Sequence, residues 1–200
     1  MIYKEDDLII HNDKILTDNG YEVMMDWEIP IMKLMSKEVC KFGGDILEVG
    51  FGMGISANEI QKHQIKSHTI IEINSGIYDK AREWSLNKEN VNIINDDFLN
   101  YLKYTTDKFD GIFFDPYPSE ILGVGEDNFI YGKLFFDSIK KLCKDNCRIV
   151  PFLPACSKNL DYLVDYVPLK SIESYLVELD NSVKTQYFSG DKANVFVFNI

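Results

Sequence analysis

Apolar and polar positions change period several times along this chain. From Asp26 to Phe42, apolar side chains at Ile29, Met32, Met35 and Val39 recur at helical spacing, and Pro30 fits a first helical turn. Residues 1–25 read as an extended lead-in. Within it "LIIHNDKIL" places two apolar runs around Asn12-Asp13, a hairpin turn signal. An alternation follows. "DILEV" (45–49), "SHTIIEI" (67–73), "VNIIN" (91–95), "FDGIFFD" (109–115) and "CRIVPFL" (147–153) read as strands. Helices are expected over "GISANEIQKH" (54–63), "GIYDKAREWSL" (76–86), "FLNYL" (98–102) and "DNFIYGKLFFDSIKKLC" (127–143). A Pro- and Gly-rich loop spans 116–125. The tail predicts a short helix near 157–166 and strands near 171–179 and 193–199.

Strands that alternate with helices call for a mostly parallel sheet covered on both faces. The last two strands have no helix-length segment between them, so they should pair antiparallel at one edge. The expected fold is α/β: a single domain over 1–200, with a mostly parallel seven-stranded sheet, an antiparallel edge strand and helices on both faces. Ligands of such sheets bind beyond the carboxyl ends of the strands. The residues just past those ends are Gly50 to Gly54, Glu72, Asp96 or Asp97, and Asp115.

Composition narrows the function. With 200 residues, 46% apolar and 26% charged, the chain has the balance of one globular domain. No apolar run approaches the ~20 residues that span a bilayer, and "MIYKEDDLII" has no features of a secretory signal. A cytoplasmic, non-membrane protein is expected. The net charge of −11, with only Arg82 and Arg148 as arginines, argues against a nucleic-acid surface and suits a cationic small substrate. Cys40, Cys143, Cys147 and Cys156 form no Cys-x-x-Cys, and His11, His63 and His68 lie far from them in sequence. Free thiols are expected, with no metal site. Cys143 and Cys147 would share one face if helical.

The turn "ILEVGFGMG" (46–54) allows three ligands to be weighed. A P-loop needs Gly-Lys-Ser/Thr, but Gly54 is followed by Ile55-Ser56. A dinucleotide turn is better matched by Gly52, Gly54 and Ala57, with Glu72 twenty residues after Gly52. That reading leaves Glu48 unexplained, because a carboxylate there would repel a pyrophosphate. S-adenosyl-L-methionine carries no phosphate and has an ammonium and a sulfonium, so Glu48 becomes an asset. Gly50, Gly52 and Gly54 then let the backbone approach the ligand. Glu72 accepts the ribose hydroxyls and Asp97 the adenine amino group. Asp96 is read first as a helix cap before "FLNYL", and is kept as a secondary cofactor candidate.

The segments "EVMMDWEIPIM" (22–32), "ILEVGFGMGIS" (46–56), "IIEIN" (70–74) and "FDGIFFDPYP" (109–118) resemble the guanidinoacetate N-methyltransferase family and its relatives, the fungal-type arginine N-methyltransferases. The likeness covers roughly residues 8–150. It implies a Rossmann-like class I methyltransferase fold in which segment 1–42 lies over the cofactor, with Met25 beside it. It also implies two carboxylates that hold the substrate guanidine, falling on Glu28 as clamp and Asp115 as general base, with Trp27 and Tyr117 lining the substrate. The family commonly has Thr at the position of Pro116, and Asn, Thr and Ser after the fifth strand, where this chain has the largely apolar "VPFLPACSKN" (150–159). Arginine or another guanidine is therefore as open as guanidinoacetate.

"DPYP" resembles a scrambled adenine-N6 methyltransferase segment, but base flipping needs a basic cleft or a recognition domain. A protein-arginine methyltransferase and a non-catalytic cofactor-binding subunit are further alternatives, and a homo-oligomer is compatible with all of them.

Overall fold

The structure is a computed structural model and describes residues 8–117, 137–153 and 171–200. Three short strands, β1 (Leu8–Ile10), β2 (Lys14–Thr17) and β3 (Glu22–Met25), form an antiparallel sheet of their own. The turn between β1 and β2 falls on residues 11–13, where Asn12-Asp13 predicts it. The strand β3 replaces part of the expected lead-in. Its Met24 lies opposite Ile15 of β2, and both side chains are buried, so tertiary burial drives the pairing. A single 3-10 turn (Asp26–Glu28) leads into α1 (Ile29–Val39). The helix stops short of Phe42 because Gly43 and Gly44 follow, both at positive φ.

The main sheet begins with β4 (Asp45–Val49), α2 (Ile55–Ile60), β5 (Ser67–Glu72), α3 (Ser75–Ser85) and β6 (Val91–Asn95). It continues with α4 (Phe98–Tyr104), β7 (Phe109–Phe114), β8 (Cys143–Pro151), β9 (Ser171–Lys184) and β10 (Ser189–Asn199). The strand order is β6-β5-β4-β7-β8-β10-β9. Five strands run parallel, and β10 is antiparallel to both β8 and β9, closing one side as expected. Side chains alternate between two cores with the period of two. Ile46, Ile70, Phe113 and Val150 meet the face covered by α1, α2 and α3. Leu47, Ile71, Phe114 and Ile149 meet the face covered by α4 and residues 139–142.

Some expectations are corrected. The helix expected over 127–143 ends in a 3-10 turn (Lys140–Leu142), and β8 starts at Cys143, four residues before the expected strand. Cys143 and Cys147 therefore lie on a strand. Asn146, at φ 65°, sits beside the shifted β7–β8 register between Phe109 and Gly111. The strands β9 and β10 run longer than their apolar runs, because each supplies the other's backbone partners through most of their length. Residues 127–136, most of the 116–125 loop, the short helix near 157–166, Pro118 and Cys156 lie outside the described residues.

Arg148 of β8 is 1% exposed. Its guanidinium donates to the Glu38 carbonyl at 2.8 Å, the Glu38 carboxylate at 2.6 Å, Glu173 at 2.9 Å and the Asn199 side-chain oxygen at 2.9 Å. One buried charge thus ties α1, β9 and β10 to β8, and pairing is what makes its burial tolerable. Cys40, Cys143 and Cys147 are free thiols. No described helix is long and apolar enough to cross a membrane. Among the described residues, no group of three or more His, Cys, Asp or Glu could hold a metal ion.

Candidate active site

From Val49 the chain turns through Gly50, Phe51, Gly52, Met53 and Gly54 into α2. Gly50 has φ 90°, and a Cβ there would lie 2.4 Å from the Asp115 carbonyl oxygen. Gly52 has φ 53°, and its Cβ would lie 2.5 Å from the Met24 sulfur. The protein's own neighbours therefore demand these glycines. The Met53 N–H also donates to the Met24 sulfur, at 3.1 Å. The methionine that covers the turn is Met24, and Met25 instead contributes its backbone N–H to Glu28. Gly54 forms the N-cap of α2.

Glu72, at the end of β5, braces the turn from behind. The Phe51 N–H donates to its Oε2 at 2.9 Å and the Asn74 N–H to its Oε1 at 2.8 Å. Burial raises its carboxyl above the ordinary value against the pull of these bonds. The Gly52 and Ile73 N–H groups also favour its charged form, so a ligand shares its roughly four acceptor sites with the protein's own amides. Glu72, Gly50, Asp96, Asp97 and Tyr117 all line one cleft of about 840 Å³, counted out to open solvent. Its described lining holds three acids and no Lys, Arg or His, an environment hostile to pyrophosphate and fitting for a cationic nucleoside. The N-terminal sheet supplies Leu8, Ile15 and Val23 to the same cleft, so part of the described N-terminal segment lines it.

The two acids after β6 divide their work otherwise than expected. Asp97 is the cap of α4: its Oδ1 accepts from Leu99 N–H at 2.7 Å and Asn100 N–H at 3.2 Å. Asp96 instead accepts from the Asn100 side chain at 3.0 Å and the Tyr104 hydroxyl at 2.7 Å. Glu48 is 0% exposed and does not line the cleft. Its Oε1 accepts the Ser56 hydroxyl, and its Oε2 lies 2.8 Å from Nε2 of the buried His68, off the line of a well-formed hydrogen bond. The parity of β4 explains this. Glu48 shares a face with Ile46, and His68 shares that face from β5, where Ile46 pairs with His68.

A second group of acids lies beside the cleft. Asp115 follows β7, and its neighbours Gly50 and Pro116 are both in the cleft wall. Protein surrounds it, yet it keeps partial exposure. Its carboxyl is held well above the ordinary value by burial, then by the negative charges of Glu28 and Glu48. Glu28, 2% exposed, accepts the Met25 N–H at 2.8 Å and the Tyr187 hydroxyl on Oε1. Burial raises it to about 7, with the Tyr187 and Met25 bonds pulling down and Glu22 pushing up. Among the described residues no Lys or Arg bonds either carboxylate. Trp27 stacks on Phe188 with centroids 5.0 Å apart, and its indole N–H is buried without a partner among the described residues.

Sequence reasoning missed Tyr187, Phe188, Met24, Ser56 and His68. Only the parity of Glu48 and His68 was readable in advance. Tyr187 reaches Glu28 across 159 residues and carries no motif.

The model of the guanidinoacetate N-methyltransferase family matches residues 6–156, well over half of the chain. The chain belongs to that family. Its cofactor is accordingly S-adenosyl-L-methionine. The chain is 27% identical over 211 residues to protein arginine N-methyltransferase 2 of Kluyveromyces lactis, covering 94% of this chain and 50% of that protein. With the protein of the same name from Candida glabrata it is 37% identical over 125 residues, covering 58% and 29%. The chain thus spans half or less of the length of these relatives. Spermidine synthase from Thermotoga maritima has the same fold, with a TM-score of 0.64, 10% identity, and coverage of 96% of this chain and 71% of that one. SMU.776, solved in complex with SAH, gives a TM-score of 0.67 at 14% identity, covering 98% and 56%. Both likenesses speak for the fold alone.

Proposed function

We propose that this family member methylates the guanidino group of a small molecule, with Glu28 and Asp115 holding the guanidine. The observation that carries the reading is the pair itself: two largely buried carboxylates, each holding its proton above the ordinary range and Asp115 pushed further by the charge of Glu28, with no basic partner among the described residues. A guanidinium, which offers only N–H donors, supplies the missing positive charge. When bound, S-adenosyl-L-methionine supplies an electrophilic methyl group on its sulfonium. Glu72 and the Gly50 turn would hold it in the cleft, with Asp97 and Asp96 at the far wall and Tyr117 nearby.

A guanidinium has a pKa of ~12 or more, and its delocalised nitrogens are poor nucleophiles. Forked bonds to Glu28 and Asp115 orient one nitrogen and exclude water from it. Asp115, with its raised proton affinity, takes the N–H proton as the nitrogen is alkylated, and Glu28 stays the clamp. The buried Trp27 N–H suits an acceptor on the rest of the substrate. The described residues after β8, Phe152 and Leu153, are apolar, so arginine and its derivatives stand beside guanidinoacetate as candidate substrates. The relatives' names favour one further reading, an arginine side chain presented by a protein. We also place the chain in the cytoplasm, where its free thiols stay reduced.

The test supplies labelled S-adenosyl-L-methionine with arginine, guanidinoacetate, an arginine-containing peptide, an oligonucleotide and a blank. Label on a guanidino compound supports the proposal. Label on the oligonucleotide alone, or on none, overturns it.

A further inference from the structure

The hairpin that joins β9 to β10 turns at residues 185–188 and docks on the N-terminal sheet. Glu22 and Gln186 bond in both directions, Glu22 N–H to Gln186 Oε1 at 3.0 Å and Gln186 N–H to Glu22 Oε2 at 2.8 Å. The Gln186 side-chain amide donates to the Gly20 carbonyl at 3.2 Å. Phe188 stacks on Trp27. These contacts bring the Tyr187 hydroxyl to Oε1 of Glu28, the same oxygen that accepts the Met25 N–H.

A carboxylate oxygen accepts about two hydrogen bonds. Oε1 is therefore filled by the protein, and Oε2 is the oxygen left for a ligand. The last torsion of a glutamate is broad, so nothing intrinsic to the side chain would hold that orientation. We infer that Tyr187 is a positioning residue of the methyl-transfer site, whose hydroxyl locks the Glu28 carboxylate with Oε2 presented to the guanidine. This rests on the guanidine reading of the acid pair. The titratable groups facing Glu28 are Glu22 on β3, Asp115 after β7 and Tyr187 itself. Burial and the charges of Glu28 and Asp115 hold the Tyr187 proton far above the ordinary phenol value, so the hydroxyl donates at every working pH.

The test compares the full chain with Tyr187→Phe, which keeps the ring, and with Gln186→Ala, which removes the two Gln186 side-chain bonds but keeps the Gln186 N–H bond to Glu22, the Phe188–Trp27 stack and the hydroxyl, so the hairpin stays docked. Carboxyl ¹³C NMR follows the Glu28 titration, with Glu28→Gln assigning the signal. The midpoint should rise by about one pH unit in Tyr187→Phe, because a bond to the charged form has been lost, and stay in place in Gln186→Ala. The acid limb of kcat/KM for arginine or guanidinoacetate should rise with it, while affinity for S-adenosylhomocysteine stays within about twofold. An unmoved midpoint in Tyr187→Phe, or an equal move in Gln186→Ala, overturns the inference. If the midpoint moves but the unaltered chain methylates no guanidino compound, the Tyr187–Glu28 coupling is upheld and the guanidine reading is overturned.

Discussion

Gly50 and Asp115 are in backbone contact: a methyl group on Gly50 would sit 2.4 Å from the Asp115 carbonyl oxygen. The Asp115 N–H donates to Val49 at 3.0 Å, and the Gly50 N–H donates to Ile71 at 2.9 Å. The turn at the cofactor cleft and the candidate base thus share one seam. Gly50→Ala should disturb both, through the clash and through its φ of 90°. A loss of stability of roughly 2 kcal/mol is expected in denaturant titration, with turnover down at least about tenfold.

Asp115→Asn keeps the shape of the side chain and removes the proton acceptor. Turnover should fall by roughly a hundredfold or more, while calorimetry shows S-adenosyl-L-methionine affinity nearly unchanged. Equal losses in both would remove Asp115 from the proton-accepting role.

Glu28 gives a pH signature in the ligand-free chain. Its folded value of about 7 lies above the ordinary 4.5, so the folded state prefers the protonated form. Its favourable contribution is full below pH 4.5 and lost as pH rises through about 7. Burial of the ionised acid then costs on the order of 3 kcal/mol. Glu28→Gln should melt higher than the unaltered chain at pH 8, with the gap closing toward pH 4 in thermal scans, even as activity falls.

Glu72→Ala removes the acceptor of the Phe51 and Asn74 N–H groups as well as the proposed ribose contact. Cofactor affinity should drop about tenfold or more, measured by calorimetry with S-adenosylhomocysteine. Unchanged affinity would place the ribose elsewhere.

Much of the fold was legible because the central strands are local apolar runs bounded by turn residues; "DILEV" and "VNIIN" match β4 and β6 residue for residue. The strand β3 was not legible, since "EVMM" pairs only through the burial of Met24 against its neighbours. In the site, Glu72 and Asp115 could be found by their places at strand ends. Glu48 was placed on the rim by the same rule, but the period of two turns it inward to Ser56 and His68. Tyr187 could not be found, because a hairpin tip has no local signal for a partner 159 residues away.

Arg148 carries a final implication. Glu38 and Glu173 grip the buried guanidinium from two sides at 2.6 and 2.9 Å, with the Glu38 carbonyl and the Asn199 side-chain oxygen taking two further N–H groups. The chain thus contains its own reference standard for such recognition. An arginine substrate captured by Glu28 and Asp115 would meet an arrangement that this polypeptide already uses as an internal rivet.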